Sequence, residues 1–369
     1  MDKMNMKELI IGDLTAKIPI IQGGMGVGIS LSSLASAVAN QGGIGVIAAA
    51  GIGMLEPDNS TNFVEASIRA LRKEIVKARE KTQGILGVNI MVALTNFADM
   101  VKTAIAEGID IIFAGAGLPL NLPQFINGLS RTKLVPIVSS GRAASLITKR
   151  WIEKYNYVPD AIVVEGPMAG GHLGFKVEQI DDPEYSLEKI IPDVIEKLKP
   201  FEEKFQKSIP VIAAGGIYTG EDIYRIMKLG ASGVQMATRF VTTNECDASL
   251  EFKNTYITAK KEDIGIINSP VGMPGRAIMN QFIHDVKAGE RKPYKCPYHC
   301  IITCDYENSP YCIAFALINA KKGIFKNGFA FAGANAFRAN IIIPVSELMD
   351  SLKKEYADAV LAENTVGSI

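Results

Sequence analysis

The feature that most constrains this chain is a series of eight short, nearly continuous apolar runs separated by longer amphipathic stretches. The runs are 18–21, 44–47, 85–90, 109–113, 134–138, 161–164, 209–213 and 233–236. Continuous apolar character is what parallel strands need when both faces are covered; half-exposed strands alternate instead. Eight such strands with helical patterns between them predict an α/β fold, a TIM (β/α)8 barrel, although a doubly wound open sheet gives a similar pattern. A weak internal repeat favours the barrel. IPIIQGGMG (18–26), VPIVSSGRA (135–143) and IPVIAAGGI (209–217) each set a proline at the strand start, then three or four apolar residues, then small residues. In a barrel those small-residue ends open on one face, where barrel enzymes place their active sites.

The gaps read as helices. Residues 31–41 are small and apolar and run into Gly42-Gly43, a C-terminal stop signal. Residues 62–81 carry mixed charges at i,i+4 spacing, as an outer helix does, and 221–229 follow Thr219-Gly220 and end at Gly230. The barrel pattern stops near residue 245. Beyond it, 250–261, 276–289 and most of 313–369 look helical, with a Gly-Phe loop at 328–337. The expected organisation is a cofactor-binding barrel over 1–245 and an appended, mainly helical subdomain over 246–369 that caps the barrel mouth.

Charge and termini narrow the function classes. The chain has 39 basic and 39 acidic residues and no basic stripe with interleaved aromatics, so nucleic acid is not an expected partner. The N-terminal MDKMNMKELI lacks the apolar core of a signal peptide, and the longest apolar stretch, 46–55, is far short of the ~20 residues a membrane helix needs. A cytoplasmic protein is expected, with its five cysteines as thiols or ligands rather than disulfides.

Two glycine-bearing turns carry the first chemical signal. Gly215-Gly216 follows the seventh apolar run and Ala237-Thr238 the eighth. Backbone N–H groups at these turns, with the start of a short helix, make an anion site where barrels often hold phosphate; the alternative is that the glycines only make tight turns. The second signal is EGPMAGGHLGF (165–175), which sets His172, one of three histidines, among Gly170, Gly171 and Gly174. Glycines let backbone approach a planar ligand, and a neutral imidazole there can take or give a proton, although a lone histidine is often structural. QGGMGVGIS (22–30) has GxGxG spacing and not the GxGxxG of a dinucleotide fingerprint. Asn89, in GVNIM, could offer an amide to a ligand edge, and Glu165 could anchor a cofactor hydroxyl; either could equally bond the local backbone.

The segment CPYHCIITCDYENSPYC gathers Cys296, Cys300, Cys304 and Cys312 in the spacing C-x3-C-x3-C-x7-C. Four close thiolates suit an Fe–S cluster or tetrahedral zinc, and if 296–304 is helical the first three share a face. The spacing matches neither a zinc ribbon nor a usual ferredoxin, so buried free thiols remain an equal reading. Cys246 is expected to be structural.

These residues together resemble the nitronate monooxygenase (2-nitropropane dioxygenase) family, which also contains FMN-dependent enoyl-acyl-carrier-protein reductases. The resemblance runs over roughly 15–290 and rests on IQGGMG, LASAVANQGGIGVI, GVNIM, AGAG (114–117), EGPMAGGHLGF and PVIAAGGI through GVQMATRF. It implies a (β/α)8 barrel with an extra domain, non-covalent FMN and His172 as the catalytic histidine. It places Gly23, Gly24 and Met25 beside the flavin and Asn89 as a polar flavin contact. Gly170 and Gly171 fall near the ring and phosphate, and Gly215, Gly216, Ala237 and Thr238 in the phosphate turns. Gln235, in the same GVQMATRF run, joins Glu165 among the cofactor-binding candidates. The family usually has Gly-Thr where this chain has Ala237-Thr238, and a backbone amide serves either way. The cysteine segment and the tail from 291 are outside the common pattern.

The expected activity is oxidation of an alkyl nitronate by O2 to a carbonyl compound and nitrite. The alternative is NAD(P)H-dependent reduction of an enoyl thioester or quinone, which an Fe–S cluster would suit. A non-catalytic flavin-binding barrel and a barrel for a phosphorylated metabolite without flavin are more distant readings. The expected partners are a small-molecule substrate with O2 or NAD(P)H; a homo-oligomer is compatible with the sequence.

Overall fold

Side-chain alternation in each apolar run sorts the residues into two cores. Ile21, Val46, Ile111, Phe113, Val135, Val163 and Ile212 pack together inside, while their neighbours Ile20, Ile47, Ile112, Leu134, Val164 and Ala213 pack outward against helices. That period of two, apolar on both faces, is what a closed parallel barrel jacketed by helices demands. The computed structural model describes residues 6–126, 128, 130–290 and 295–366. The expectations made for residues 1–5, 291–294 and 367–369 lie outside the described residues.

The strands are β1 (Leu9–Ile11), β2 (Leu14–Ala16), β3 (Ile20–Gln22), β4 (Gly45–Ala48), β5 (Leu86–Met91), β6 (Ile111–Gly115) and β7 (Lys133–Val138), followed by β8 (Ile162–Glu165), β9 (Gly171–His172), β10 (Val211–Ala214), β11 (Gly233–Met236), β12 (Ile264–Asn268) and β13 (Pro274–Ile278). Eight of them form one parallel sheet in the order β3-β11-β10-β8-β7-β6-β5-β4. The ends close on each other: Gln22 N donates to Ile44 O at 2.9 Å and Ile44 N to Ile20 O at 3.0 Å, beside an Ile21–Ile44 bridge. The fold is a TIM barrel built from the eight apolar runs of the sequence.

The antiparallel hairpin β1–β2 was not foreseen. Its Leu9, Ile11 and Ala16 join the interior core and stopper the barrel at the N-terminal ends of the strands. The site is therefore left to the opposite mouth.

Helices cover the outside. Ser32–Asn40 packs so closely on β4 that a side chain at Gly45 would meet the Ala35 carbonyl oxygen at 1.8 Å, which explains why both segments use small residues. Asp247, far along the chain, accepts from Leu31 N (2.8 Å) and Leu34 N (3.3 Å), occupying the free amides of that helix start.

Beyond residue 245 the described helices are Leu250–Thr258, Gln281–Lys287, Ile313–Lys321 and Val345–Val366, with irregular chain between them. One part departs from expectation. Residues 276–278, read from the sequence as the start of a helix over 276–289, belong to a β-hairpin: β12 and β13 pair antiparallel, and β13 pairs onward with β9. The β-branched run at 264–267 prefers extended backbone, and Pro274 and Gly275 disfavour helix just ahead of Arg276. The last helix packs between Gly220–Lys228 and Ser32–Asn40 and so takes the eighth place in the outer ring, because β11 is followed by only the short helix Thr238–Val241. Among the described residues no helix is long and apolar enough to cross a membrane.

Candidate active site

All the barrel residues singled out from the sequence meet at one cavity. Gly23, Gly24, Met25, Asn89, Glu165, Gly170, Gly171, His172, Gly215, Gly216, Gln235, Ala237 and Thr238 line a single space of about 470 Å³ at the C-terminal mouth. That volume is in the range of roughly 300–1,000 Å³ typical of small-molecule and cofactor sites. Parallel strands explain the convergence, since every strand delivers its C-terminal residue to the same rim.

One wall is main chain. A Cβ on Gly24 would lie 2.4 Å from Asn89 Cβ, so only glycine lets β3's exit loop pass β5 there. Buried Gln22 fixes the loop's start: its Oε1 accepts from Val46 N at 3.0 Å and its Nε2 donates to Gly23 O at 2.5 Å. Opposite, Gly215 and Gly216 both adopt left-handed backbone, with φ of 94° and 81°. Among the described residues, no loop or turn carbonyl accepts from the N–H groups of Gly216, Ala237 and Thr238. Amides on two neighbouring turns at one cavity form a nest for an anion.

His172 sits on a third wall, supplied jointly by the barrel and the appended hairpin. β9 is the two residues Gly171–His172, held by β13 through the Gly275–His172 and Arg276–Gly171 pairs. The imidazole Nε2 is 2.7 Å from Ser269 Oγ, and the ring stands edge-on to Phe331 with centroids 5.0 Å apart. Burial holds the imidazole well below its ordinary value, at about 4, so it is neutral near pH 7. Burial acts in the opposite direction on the carboxyl of Glu165 and pushes it up to about 7. Arg276 braces the loop ahead of His172, donating from Nη1 to the carbonyls of Pro167 and Ala169. Tyr256 Oη donates to Phe331 O at 2.5 Å and fixes the strip that faces the histidine.

Ser269, Arg276, Tyr256 and Phe331 were missed from the sequence. The signal for Ser269 and Arg276 was the run of β-branched residues leading into Ser269-Pro270, followed by Pro274-Gly275, which reads as strand, turn, strand; Tyr256 and Phe331 carried none. The four clustered cysteines lie away from the cavity rim, and the stretch 296–304 that would have aligned three of them on a helix face contains no helix. Cys246 is buried, its Sγ 3.5 Å from Ile29 O.

Comparison with known proteins agrees with this geometry. The nitronate monooxygenase family model matches residues 7–355. A Staphylococcus aureus protein described as "Probable nitronate monooxygenase" is 27% identical over 372 residues, covering 91% of this chain and 96% of that protein. FabK from Thermotoga maritima is similar at 28% identity and a TM-score of 0.72, covering 95% of this chain and 96% of that one. The nitroalkane oxidase of Streptomyces ansochromogenes, at 21% identity over 94% of this chain and 97% of that one, shares the fold with a TM-score of 0.71. Matched by the family model over nearly its whole length, the chain belongs to the nitronate monooxygenase family and is an oxidoreductase.

Proposed function

We propose that the cavity holds FMN and that the chain oxidises alkyl nitronates, with O2 as electron acceptor, to a carbonyl compound and nitrite. The observation that carries this reading is one cavity bearing both an anion nest and a neutral, anchored histidine. The residues fit the group. The amides of Gly215, Gly216, Ala237 and Thr238, on two adjacent turns of the rim, suit a phosphate. The bare main chain of Gly23 and Gly24 suits a flat ring, and Asn89, Glu165 and Gln235 offer polar partners for ring edges and hydroxyls.

The flavin, when bound, supplies the redox chemistry. The protein supplies position, electrostatics and proton handling. His172, neutral at working pH, accepts the α-proton when the substrate arrives as a neutral nitroalkane; towards a nitronate it presents an uncharged dipole. Ser269 fixes the ring plane and, by sharing one hydrogen bond with Nε2, selects the tautomer. The apolar lining from Val27, Leu118, Phe252, Met273, Leu317 and Phe331 takes the substrate's hydrocarbon part and keeps water from the reacting atoms.

The second reading is an NAD(P)H-dependent flavin reductase of enoyl thioesters. It is favoured by the likeness to FabK over 95% of the chain. Anaerobic mixing separates the two. Bleaching of the FMN-loaded chain by ethyl or propyl nitronate, with no reaction to NADH or NADPH, supports the monooxygenase. Rapid bleaching by NADH or NADPH with none by nitronate replaces it with the reductase. A chain that binds no FMN overturns both.

A further inference from the structure

Phe331 faces His172, and the residues that follow it run across the turns assigned to phosphate. Ala332 N donates to Arg276 O at 3.0 Å and Ala334 N to Met168 O at 3.1 Å, so the strip 331–335 is tied to β13 at one end and to the loop ahead of His172 at the other. The approach leaves no room for side chains. A Cβ on Gly170 would meet the Ala332 carbonyl carbon and Gly333 N at 2.5 Å, and one on Gly333 would meet Thr238 Oγ1 at 2.6 Å. Ala332 and Gly333 therefore line the cavity together with Gly216 and Thr238.

Asn335 ends the strip with a contact of a different kind. Its Nδ2 donates to Gly216 O at 2.7 Å. A glycine with left-handed backbone, here at a φ of 81°, has no side chain to restrain its peptide, so an outside anchor decides which way that peptide faces. The peptide is planar and trans, and its N–H points away from its C=O. The N–H that shares a peptide with the Gly216 carbonyl is that of Ile217. Asn335 does not line the cavity, whereas Gly216 and Ile217 do. Holding the carbonyl on Asn335 thus turns the Ile217 N–H toward the cavity.

That donor is available. Among the described residues no loop or turn carbonyl accepts from Ile217 N. The amides beyond it are taken, since Tyr218 N and Thr219 N both donate to Asp222 Oδ2 at 3.0 Å. The donors this turn can offer an anion therefore stop at Ile217, the one whose direction Asn335 sets.

We propose that Asn335 is a positioning residue for the cofactor phosphate: by holding the Gly216 carbonyl it aims the Ile217 N–H into the nest, so that the appended segment, and not the barrel alone, sets the affinity for the phosphoryl group. The inference rests on the FMN reading above and does not depend on which substrate the flavin serves.

The test compares FMN with riboflavin, which has the same ring and ribityl chain but no phosphate. Each is titrated by flavin fluorescence into the full, flavin-free chain as wild type, Asn335→Ala and Asn335→Asp, the last keeping the shape while losing the donor when ionised. Asn335→Ala is expected to weaken FMN binding roughly 5- to 10-fold, as the loss of one hydrogen bond does, and Asn335→Asp at least as much, while riboflavin affinity stays within about twofold of wild type. Retained riboflavin binding also reports that the barrel has folded. Equal losses for FMN and riboflavin would make Asn335 a packing residue and overturn the proposal, as would FMN affinity unchanged in both variants. A wild type that binds neither flavin would overturn the FMN reading itself, and this inference with it.

Discussion

His172 and Ser269 are 97 residues apart in the chain, yet Nε2 and Oγ lie 2.7 Å from each other, because the hairpin β12–β13 takes the two-residue strand β9 as its third member. The histidine belongs to the barrel and its anchor to the appended segment, so the candidate site is complete only when the two are assembled. Ser269→Ala should leave the fold and flavin content intact and lower kcat/KM roughly 5- to 10-fold, the equivalent of one net hydrogen bond of about 1 kcal/mol. Ser269→Thr, which keeps the hydroxyl, should restore most of it. Steady-state kinetics on both variants check this, and a Thr variant as impaired as the Ala variant would show that the hydroxyl is not what matters.

Removing the imidazole asks for a larger effect. His172→Ala should retain FMN, whose contacts are assigned to the glycine turns, and lose roughly 10²–10⁴ in turnover of neutral nitroalkanes. Pre-formed nitronates, which have already shed the α-proton, should suffer less. Because burial holds His172 near 4, the wild-type rate with nitroalkanes should persist well below the ordinary histidine value of 6.5 before its acid limb falls. A pH–rate profile with both substrate forms measures this, and equal losses for the two forms would remove His172 from the role of base.

Gly24 tests the main-chain wall. Alanine at this position would put a methyl 2.4 Å from Asn89 Cβ, with Val46 Cγ1 also 3.3 Å away. Neither neighbour can yield without moving β4 or β5, so the exit loop of β3 must shift instead. Gly24→Ala should therefore destabilise the chain by about 1–3 kcal/mol and weaken FMN binding at least tenfold. Flavin fluorescence titration together with a denaturant curve checks both. Gly128→Ala, where an added Cβ meets nothing within 4 Å among the described residues, serves as the control.

The barrel was legible because its strands are buried on both faces, and such burial leaves an unbroken apolar run in the sequence for each of the eight. The cavity residues were legible for a related reason. Gly24, Gly215 and Gly216 must be glycine for steric and backbone reasons, and those constraints are local. The other half of the site was not. Ser269, Arg276, Phe331 and Tyr256 act through partners about 75 to 160 residues away, and nothing near them in sequence names His172, Pro167, Ala169 or Phe331 as the group they serve. Residues 276–278 read as the start of a helix because Arg and Ala are good helix formers. Pairing with β12 and β9 overrides that preference, as tertiary context commonly does. The final helix looked like part of a cap, and only the shortness of Thr238–Val241 shows why the ring needs it.

Glu165 carries a prediction about stability and its sign. Burial lifts its carboxyl from 4.5 to about 7 in the folded chain. Between those values the folded state keeps a proton that the unfolded state has released, so raising the pH through this window lowers stability, and the loss is complete above 7. It amounts to at most about 3.5 kcal/mol, since each unit is worth about 1.4. His172 contributes the opposite slope. Its folded value of about 4 sits below the ordinary 6.5, so its contribution is full above 6.5 and is lost as the pH falls toward 4. Glu165→Gln removes the first effect and leaves the second. In flavin-free protein, the variant and the wild type should unfold at similar urea concentrations near pH 4.5, and the variant should be the more stable at pH 8. If Glu165 also receives a flavin hydroxyl, the same variant should bind FMN more weakly at pH 8, where the wild-type carboxylate is the better acceptor. Urea midpoints that stay equal at both pH values would mean that the carboxyl is solvated through the cavity and that its burial costs nothing.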